Sequence, residues 1–125
     1  MVKFKSRYIL IELKFENERK IQTLDPGRLM VMLKNKVQNL FGDIGLGKIN
    51  KNLQVKYVNN VTNLVIIRVG SDNLKLMWTA LSLMNELEGE TVRMQVIGVS
   101  GTIKKIELKA KEMLEKWLNN YENNN

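Results

Sequence analysis

The chain has 125 residues, of which 44% are hydrophobic, so its length and apolar content suit one domain with one core. Its formal net charge of +7, with a pI of about 9.7, attracts polyanions such as RNA, DNA or an anionic membrane surface. It contains neither cysteine nor histidine, which excludes disulfides, thiolate nucleophiles, the usual zinc sites and the commonest general base.

Hydropathy and the N-terminal sequence bear on the compartment. No apolar run approaches the roughly 20 residues that a membrane-spanning helix needs. The first residues also lack the charged, apolar and small-residue layout of a signal peptide. We therefore expect a soluble, intracellular protein with no membrane partner.

The first part of the chain predicts a strand, a helix and a loop. Residues 7–15 place apolar side chains with period two, which indicates a β-strand. Asp25 and the proline after it are typical of a helix start, and apolar residues at helical spacing predict a helix over 26–41. Gly42 is placed to end that helix, and 42–51, with three of the eight glycines, is predicted to be a loop.

Two short β-type runs follow, at 53–58 and 64–69. They are joined through Asn59 and Asn60, a pair suited to positive φ, and this arrangement predicts a hairpin.

A helix is predicted after the hairpin, capped by Ser71 or Asp72 and ending near Gly89. Trp78 lies on its apolar stripe, and Trp117 lies on the stripe of the last helix. We expect both tryptophans in the core or at an interface.

The chain ends with a strand at 91–99 and a helix at 102–118. Residues 119–125 form a polar tail that we expect to fray. Two ion pairs are expected along the exposed side of the last helix, Glu107–Lys111 and Glu112–Lys116.

The order β-α-β-β-α-β plus a C-terminal helix predicts an α+β protein with a ferredoxin-like (RRM-like) antiparallel sheet, in one domain over residues 1–118. The third helix must bury its apolar stripe, and the free sheet face is the nearest surface. RNA-recognition modules of this topology stack bases on aromatics of their central strands, but 64–69 has no aromatic and no glycine. We therefore expect contacts with phosphates and shape rather than sequence-specific binding by the sheet face.

The junction between the last strand and the last helix is the first candidate site. Helix N-termini present free N–H groups and partial positive charge, and small residues let a ligand approach the backbone. Two lysines lie in the first turn, where the helix dipole disfavours cations, and a bound anion would account for them. The predicted phosphate site consists of Ser100, Gly101, Thr102, Lys104 and Lys105.

The N-terminal segment is the second candidate. Lys3, Lys5 and Arg7 alternate with apolar residues, and no acid precedes Glu12. These cations either follow an RNA backbone or form an ordinary solvated end. Arg68, on the same face as its apolar neighbours, either contacts RNA or pairs with Glu12 across the sheet.

Five segments stand out by their order and spacing along the chain: VKFKSRYIL (2–10), FGDIG (41–45), LQVKY (53–57), IRV (67–69) and VSGTIKK (99–105). Over about residues 1 to 110 they resemble the small ferredoxin-like protein subunit of ribonuclease P and ribonuclease MRP, a family of archaea and eukaryotes.

The resemblance implies a noncatalytic, RNA-binding subunit of an RNA-based endonuclease that removes 5′ leaders from precursor tRNA. It implies as partners the ribonuclease P RNA, precursor tRNA, a TIM-barrel-like protein subunit, and a second copy or a paralogous ferredoxin-like subunit. No cofactor is expected on the protein itself, because Mg²⁺ belongs to the partner RNA.

Several alternatives stay open. A basic assembly module without RNA contact fits the composition, and an acylphosphatase-like hydrolase fits the topology but lacks the expected Gly-rich phosphate loop. We expect the nucleus or nucleolus if the source is eukaryotic, where ribonuclease MRP is a second possible assembly, and the cytoplasm if it is archaeal. The pairing with a second copy or with a paralogue also stays open.

Overall fold

The computed structural model of the protein describes residues 5–16, 25–60, 62–87 and 89–123. A short 3₁₀ turn, Ser71–Asn73, joins the third strand to the second helix. The elements in chain order are β1 (Ser6–Phe15), α1 (Pro26–Ile49), β2 (Gln54–Asn59), β3 (Leu64–Gly70), α2 (Leu74–Leu83), β4 (Glu86–Leu87), β5 (Glu90–Ser100) and α3 (Ile103–Asn123).

The strands form one antiparallel sheet in the order β2-β3-β1-β5-β4. Without the two-residue β4, this order is β2-β3-β1-β5, with β1 in the centre and α1 and α2 on one face. The predicted ferredoxin-like fold with an added C-terminal helix is therefore confirmed.

The main core lies between the sheet and the helices α1 and α2. Because side chains alternate along a strand, one face of β1 points into this core and the other points towards α3. Both helices present apolar stripes at helical spacing. The side chains that carry this packing are Ile9, Ile11 and Leu13 of β1, Leu29, Leu33 and Val37 of α1, and Met77, Ala80 and Leu81 of α2.

A smaller core lies on the opposite face, beneath α3. Ile106 and Ala110 of α3 pack on Leu10, Leu64 and Ile66 of the sheet. The prediction that the third helix covers the free sheet face is confirmed, and the protein therefore has three layers.

Helix α1 begins as predicted, because the Asp25 side chain accepts a hydrogen bond from the Arg28 N–H (3.3 Å) and proline follows. The prediction of a loop after Gly42 is wrong. Gly42 breaks the helix at φ 72°, but a second helical segment then runs to Ile49, which is fully buried. Burial of Ile49 in the main core outweighs the low helix propensity of the glycines.

The hairpin of β2 and β3 is confirmed, but its turn differs from the prediction. Among the described residues, the non-glycine residue with positive φ is Asn63 (58°), not Asn59 or Asn60. The Asn59 side chain instead accepts a hydrogen bond from the Thr62 N–H (3.1 Å), which shapes the turn locally.

The region between β3 and β5 was predicted incorrectly in two respects. Neither Ser71 nor Asp72 caps α2, because both lie in the 3₁₀ turn and the helix begins only at Leu74. The helix also ends at Leu83 rather than near Gly89, and Glu86–Leu87 forms the short edge strand β4. Leu87 is buried, so tertiary packing favours a strand where local spacing indicated a helix.

Helix α3 continues to Asn123, five residues beyond the predicted end. Neither expected ion pair of α3 is present among the described residues. No described helix is both long and apolar enough to cross a bilayer.

Candidate nucleic-acid interface

Three strand ends meet at one end of the sheet and bring distant cations together. The start of β1 lies beside the end of β3, with Arg7 opposite Val69. The next residue, Tyr8, lies opposite Arg68 of β3 on one side and opposite Ser100 of β5 on the other. We call the cations gathered here the basic end: Lys5, Arg7, Lys48, Lys51, Arg68, Lys104 and Lys105.

Arg68 lies on the α3 face of the sheet, and its Nε donates a hydrogen bond to the Ser6 Oγ (2.8 Å). The alternative in which Arg68 pairs with Glu12 is wrong. Glu12 lies opposite Leu64, and its carboxylate is 3.6 Å from the Lys14 Nζ. No described carboxylate pairs with the Arg68 guanidinium, so its positive charge is available at the basic end.

Arg7 connects the start of β1 to the turn before α3. Its Nη1 donates to the Ser6 carbonyl oxygen (3.0 Å) and lies 3.6 Å from where a Cβ on Gly101 would be. The start of β1 is further held by Lys5, whose carbonyl oxygen accepts a bond from the Ser71 N–H (2.8 Å). The two candidate segments are thus parts of one surface.

The turn before α3 binds some of its own amides. Ser100 Oγ accepts from the Thr102 N–H (3.2 Å), and Thr102 Oγ1 accepts from the Lys105 N–H (3.4 Å), which makes Thr102 the helix cap. The first-turn amides of Ile103 and Lys104 have no acceptor within the helix. These two amides are available to a ligand.

The charges of the basic end are not neutralised within the described part of the chain. Lys5, Lys104 and Lys105 are exposed, and no described carboxylate lies within ion-pair distance of them. Asp72, on the 3₁₀ turn, is an exposed acid in this region. Lys3 lies outside the described residues, so its role stays a prediction.

With this geometry in place, comparison with known proteins identifies the family. The sequence profile of the Rpp14/Pop5 family matches residues 7–111. This chain belongs to the Rpp14/Pop5 family. The resemblance drawn from the five sequence segments is therefore confirmed.

Relatives of this Rpp14/Pop5 protein share much of its length. The Schizosaccharomyces pombe "Ribonuclease P/MRP protein subunit POP5" is 38% identical over 121 residues, which cover 90% of this chain and 87% of the relative. The Dictyostelium discoideum "Probable ribonuclease P/MRP protein subunit POP5" is 30% identical over 99% of this chain and 72% of its own length. The human "Ribonuclease P/MRP protein subunit POP5" is 30% identical over 83% of this chain and 66% of its own length.

A solved structure supports the fold of this family member. One chain in the "Cryo-EM structure of yeast Ribonuclease MRP" superposes with a TM-score of 0.59 over 98% of both chains. Its sequence identity is 14%, so this likeness bears on the fold alone.

Two lysines of the basic end were missed by sequence reasoning. Lys48 and Lys51 lie at the end of α1, where the Asn73 side chain donates to the Lys48 carbonyl oxygen (2.9 Å). The Asn52 Nδ2 lies 3.3 Å from where a Cβ on Gly70 of β3 would be. The sequence predicted a loop over 42–51 that contains both lysines, and only the second segment of α1 positions them.

Both tryptophans of this Rpp14/Pop5 protein are partly exposed. The prediction that they lie in the core is therefore wrong, and the alternative, that they lie at an interface, stays a prediction. Trp78 of α2 is 44% exposed and Trp117 of α3 is 42% exposed. At the break in α1, Ile44 is 78% exposed beside the partly exposed Phe41. These apolar side chains lie on the helices, and Ile44 shares the second segment of α1 with Lys48 of the basic end.

Proposed function

We propose that this chain is a noncatalytic protein subunit of a ribonuclease P or MRP ribonucleoprotein, and that it binds the RNA of that assembly. Its relatives carry the names of such subunits, which supports the assignment. The observation that carries the RNA contact is the convergence of cations from four parts of the chain into the basic end, with no described carboxylate paired to them.

The basic end suits RNA phosphates in two chemically different ways. Arg7 and Arg68 present planar guanidinium groups, which bind phosphate oxygens through paired hydrogen bonds. The lysines act as point charges around them, and the Ile103 and Lys104 amides offer N–H donors at a helix N-terminus. Such contacts position an RNA backbone without reading its sequence.

The chemistry of cleavage belongs, in this proposal, to the RNA. Phosphodiester hydrolysis by the chain alone would need a general base or a bound metal, and the sequence lacks histidine, the commonest general base, and cysteine. The described residues contain no cluster of three metal-binding side chains. Mg²⁺ bound to the RNA would supply the Lewis acid, and the protein would stabilise the fold of that RNA during 5′ maturation of precursor tRNA.

The protein partners and the compartment are part of the same proposal. A TIM-barrel-like subunit and a second ferredoxin-like chain, either a copy or a paralogue, would cover the exposed apolar side chains Trp78, Leu83, Phe41 and Ile44. The named relatives are eukaryotic, which favours the nucleus as the compartment.

Reconstitution of pre-tRNA cleavage tests the proposal. The isolated chain is expected to cleave no precursor tRNA, and to raise the cleavage rate when it is added to the cognate RNA and its partner subunit. Metal-dependent cleavage by the rigorously purified chain alone would contradict the noncatalytic role, and an unchanged rate in the assembly would contradict the subunit role.

The second candidate is an assembly module without RNA contact. The exposed tryptophans of the chain and the apolar side chains at the break in α1 suit protein partners. Filter binding of structured RNA at two salt concentrations separates the two candidates. An RNA-binding subunit loses affinity steeply as salt rises, whereas a pure assembly module binds structured RNA at neither concentration.

A further inference from the structure

A groove of about 460 Å³ lies on the α3 face of the sheet, outside the basic end. Its floor is the sheet surface between Tyr8 of β1 and Tyr57 of β2. Its wall is the side of α3 that carries Ile103, Ala110 and Leu114. A concave, largely apolar site of this size accommodates a small flat group.

The groove exists because α3 covers only part of the sheet. The helix packs through Ile106 and Ala110 onto the central strands, where Leu10 and Ile66 are buried. Strand β2 lies at the sheet edge, and its Tyr57 remains 42% exposed. An aromatic ring is therefore presented beside an apolar floor.

A hydrogen bond from Asn59 holds the Tyr57 side chain in position. Its Oη accepts a hydrogen bond from the Asn59 Nδ2 (2.9 Å). Thr62 also lines the groove, and its buried Oγ1 has no hydrogen-bond partner in the described part of the protein. A buried hydroxyl without a partner is unfavourable, and a polar ligand edge would supply the missing bond.

Charged groups stand on both sides of the groove. Lys56 lies on the β2 side and Lys111 on the α3 side, and both are exposed. Glu107 also lines the groove, yet forms no ion pair with Lys111 among the described residues. Two cations that flank an aromatic floor are complementary to a base with a phosphate on either side.

We propose that this groove binds one unpaired RNA base, which stacks on Tyr57 while Lys56 and Lys111 contact the flanking phosphates. This inference rests on the proposed function, because it assigns a second contact to the same RNA. Modules that bind single strands combine aromatic platforms with positive charge in this way. Strand β3 lacks aromatics, and the tyrosines of the groove belong instead to β1 and β2.

The carboxylate of Glu107 adds a preference among bases. A carboxylate accepts hydrogen bonds from exocyclic amino groups, which cytosine, adenine and guanine carry and uracil lacks. The groove is therefore expected to favour a base with an amino group.

Binding of two fluorescently labelled RNAs to the full-length chain tests the groove. The probes are a mixed-sequence single-stranded octanucleotide and a blunt duplex of the same sequence. Tyr57→Ala is expected to weaken single-strand binding by about 5- to 150-fold, the range for loss of one base–aromatic stack, and to leave duplex binding unchanged. Tyr57→Phe keeps the ring but loses the bond to Asn59, and is expected to retain most of the single-strand affinity.

Trp78→Ala is the matched control, because Trp78 is an aromatic of nearly equal exposure on the opposite side of the sheet. It is expected to leave both affinities unchanged. Circular dichroism checks folding, and Tyr57→Leu replaces the alanine variant if that variant unfolds.

Three results would overturn the groove: single-strand binding that survives Tyr57→Ala, an equal loss in Trp78→Ala, or loss of duplex binding together with single-strand binding in Tyr57→Ala. In each of these the basic end and the proposed function stand, since RNA is still bound by the wild type. Failure of the wild-type chain to bind either RNA overturns the RNA contact of the proposed function as well.

Discussion

The two ends of the sheet carry similar numbers of charged side chains but arrange them differently. At the end opposite the basic end, charges of both signs alternate, and we call this group the mixed end: Glu12, Lys14, Glu16, Glu86, Glu90 and Arg93. There the Lys14 Nζ lies 3.6 Å from the Glu12 carboxylate, and Lys14 lies opposite Arg93. The mixed end holds four carboxylates and two cations, so its positive charge is offset within the group.

The basic end has no such neutralisation among the described residues. Cations of one sign repel one another, so their accumulation costs stability unless an external anion offsets it. The pairing of β1 with β3 and β5 fixes the positions of Arg7 and Arg68 in the basic end, as it fixes those of Glu12 and Lys14 in the mixed end. The accumulation of cations is therefore built into the fold, and phosphate is a suitable counter-charge for it.

Charge reversal at the start of α3 should produce the largest difference between the two ends. Lys104→Glu with Lys105→Glu is expected to lower RNA affinity about a hundredfold, since each of the two lost hydrogen bonds to a charged group contributes roughly 1.5 kcal/mol. The free protein should be as stable or slightly more stable, because acids suit a helix N-terminus. RNA titration and thermal melting of the same sample provide the measurement.

The matched control for that experiment is Lys14→Glu with Arg93→Glu at the mixed end, which makes the same charge change. We expect it to change RNA affinity little. If the two double variants weaken binding equally, net charge alone explains binding and the basic end is not a site. If the Lys104 and Lys105 variant loses stability while it keeps affinity, the two lysines are structural.

Removing the N-terminal cations should produce a smaller, salt-dependent effect. Lys3→Ala, Lys5→Ala and Arg7→Ala combined are expected to flatten the dependence of log affinity on log salt by about 0.7 to 0.9 for each phosphate that the variant no longer binds. Affinities measured over a salt series give the slope. An unchanged slope would mean that this segment is only a solvated end.

Arg68 allows a finer test, because its guanidinium is held by Ser6. Arg68→Lys keeps the charge but loses the planar donor pair, so RNA affinity should fall roughly two- to tenfold, the range for one hydrogen bond. Ser6→Ala alone should cause part of that loss, and should add nothing in the Arg68→Lys background. Independent, additive losses in this double-mutant cycle would refute a shared role.

The smallest effect on RNA is expected at Thr102, whose hydroxyl caps α3. Thr102→Ala should lower the free energy of unfolding by about 1 kcal/mol, and Thr102→Ser should restore it. RNA affinity should change far less than in the lysine variants. Urea unfolding measures the first quantity; a large loss of affinity in Thr102→Ala with normal stability would instead make the hydroxyl a ligand contact.

Local patterns predicted most of the elements correctly, and the errors have physical reasons. The period-two run of β1 and the Asp25 cap of α1 are decided by neighbours in sequence, and both were found. The second segment of α1 and the strand β4 were missed, because burial of Ile49 and Leu87 decides them. Those contacts come from residues far away in the chain.

The candidate site shows the same division. The turn at Ser100–Thr102 and the two lysines after it were recognisable as a possible anion site from residue types alone. The sequence did not show that the Ser100 and Thr102 hydroxyls bind two of the turn's own amides, since a residue pattern carries no hydrogen-bond geometry. The sequence allowed Arg68 either to contact RNA or to pair with Glu12, and its bond to Ser6 excludes the pairing with Glu12.

The order of the main strands and helices, the faces they bury and the family follow from the sequence alone, because periodicity and short motifs are local properties. Which cations meet and which aromatics stay exposed depends on tertiary packing. Pairing of β1 with β3 and β5 brings Arg7, Arg68 and Lys104 to one end of the sheet. The partial cover by α3 leaves Tyr57 open, because the helix packs on the central strands and cannot also reach the edge.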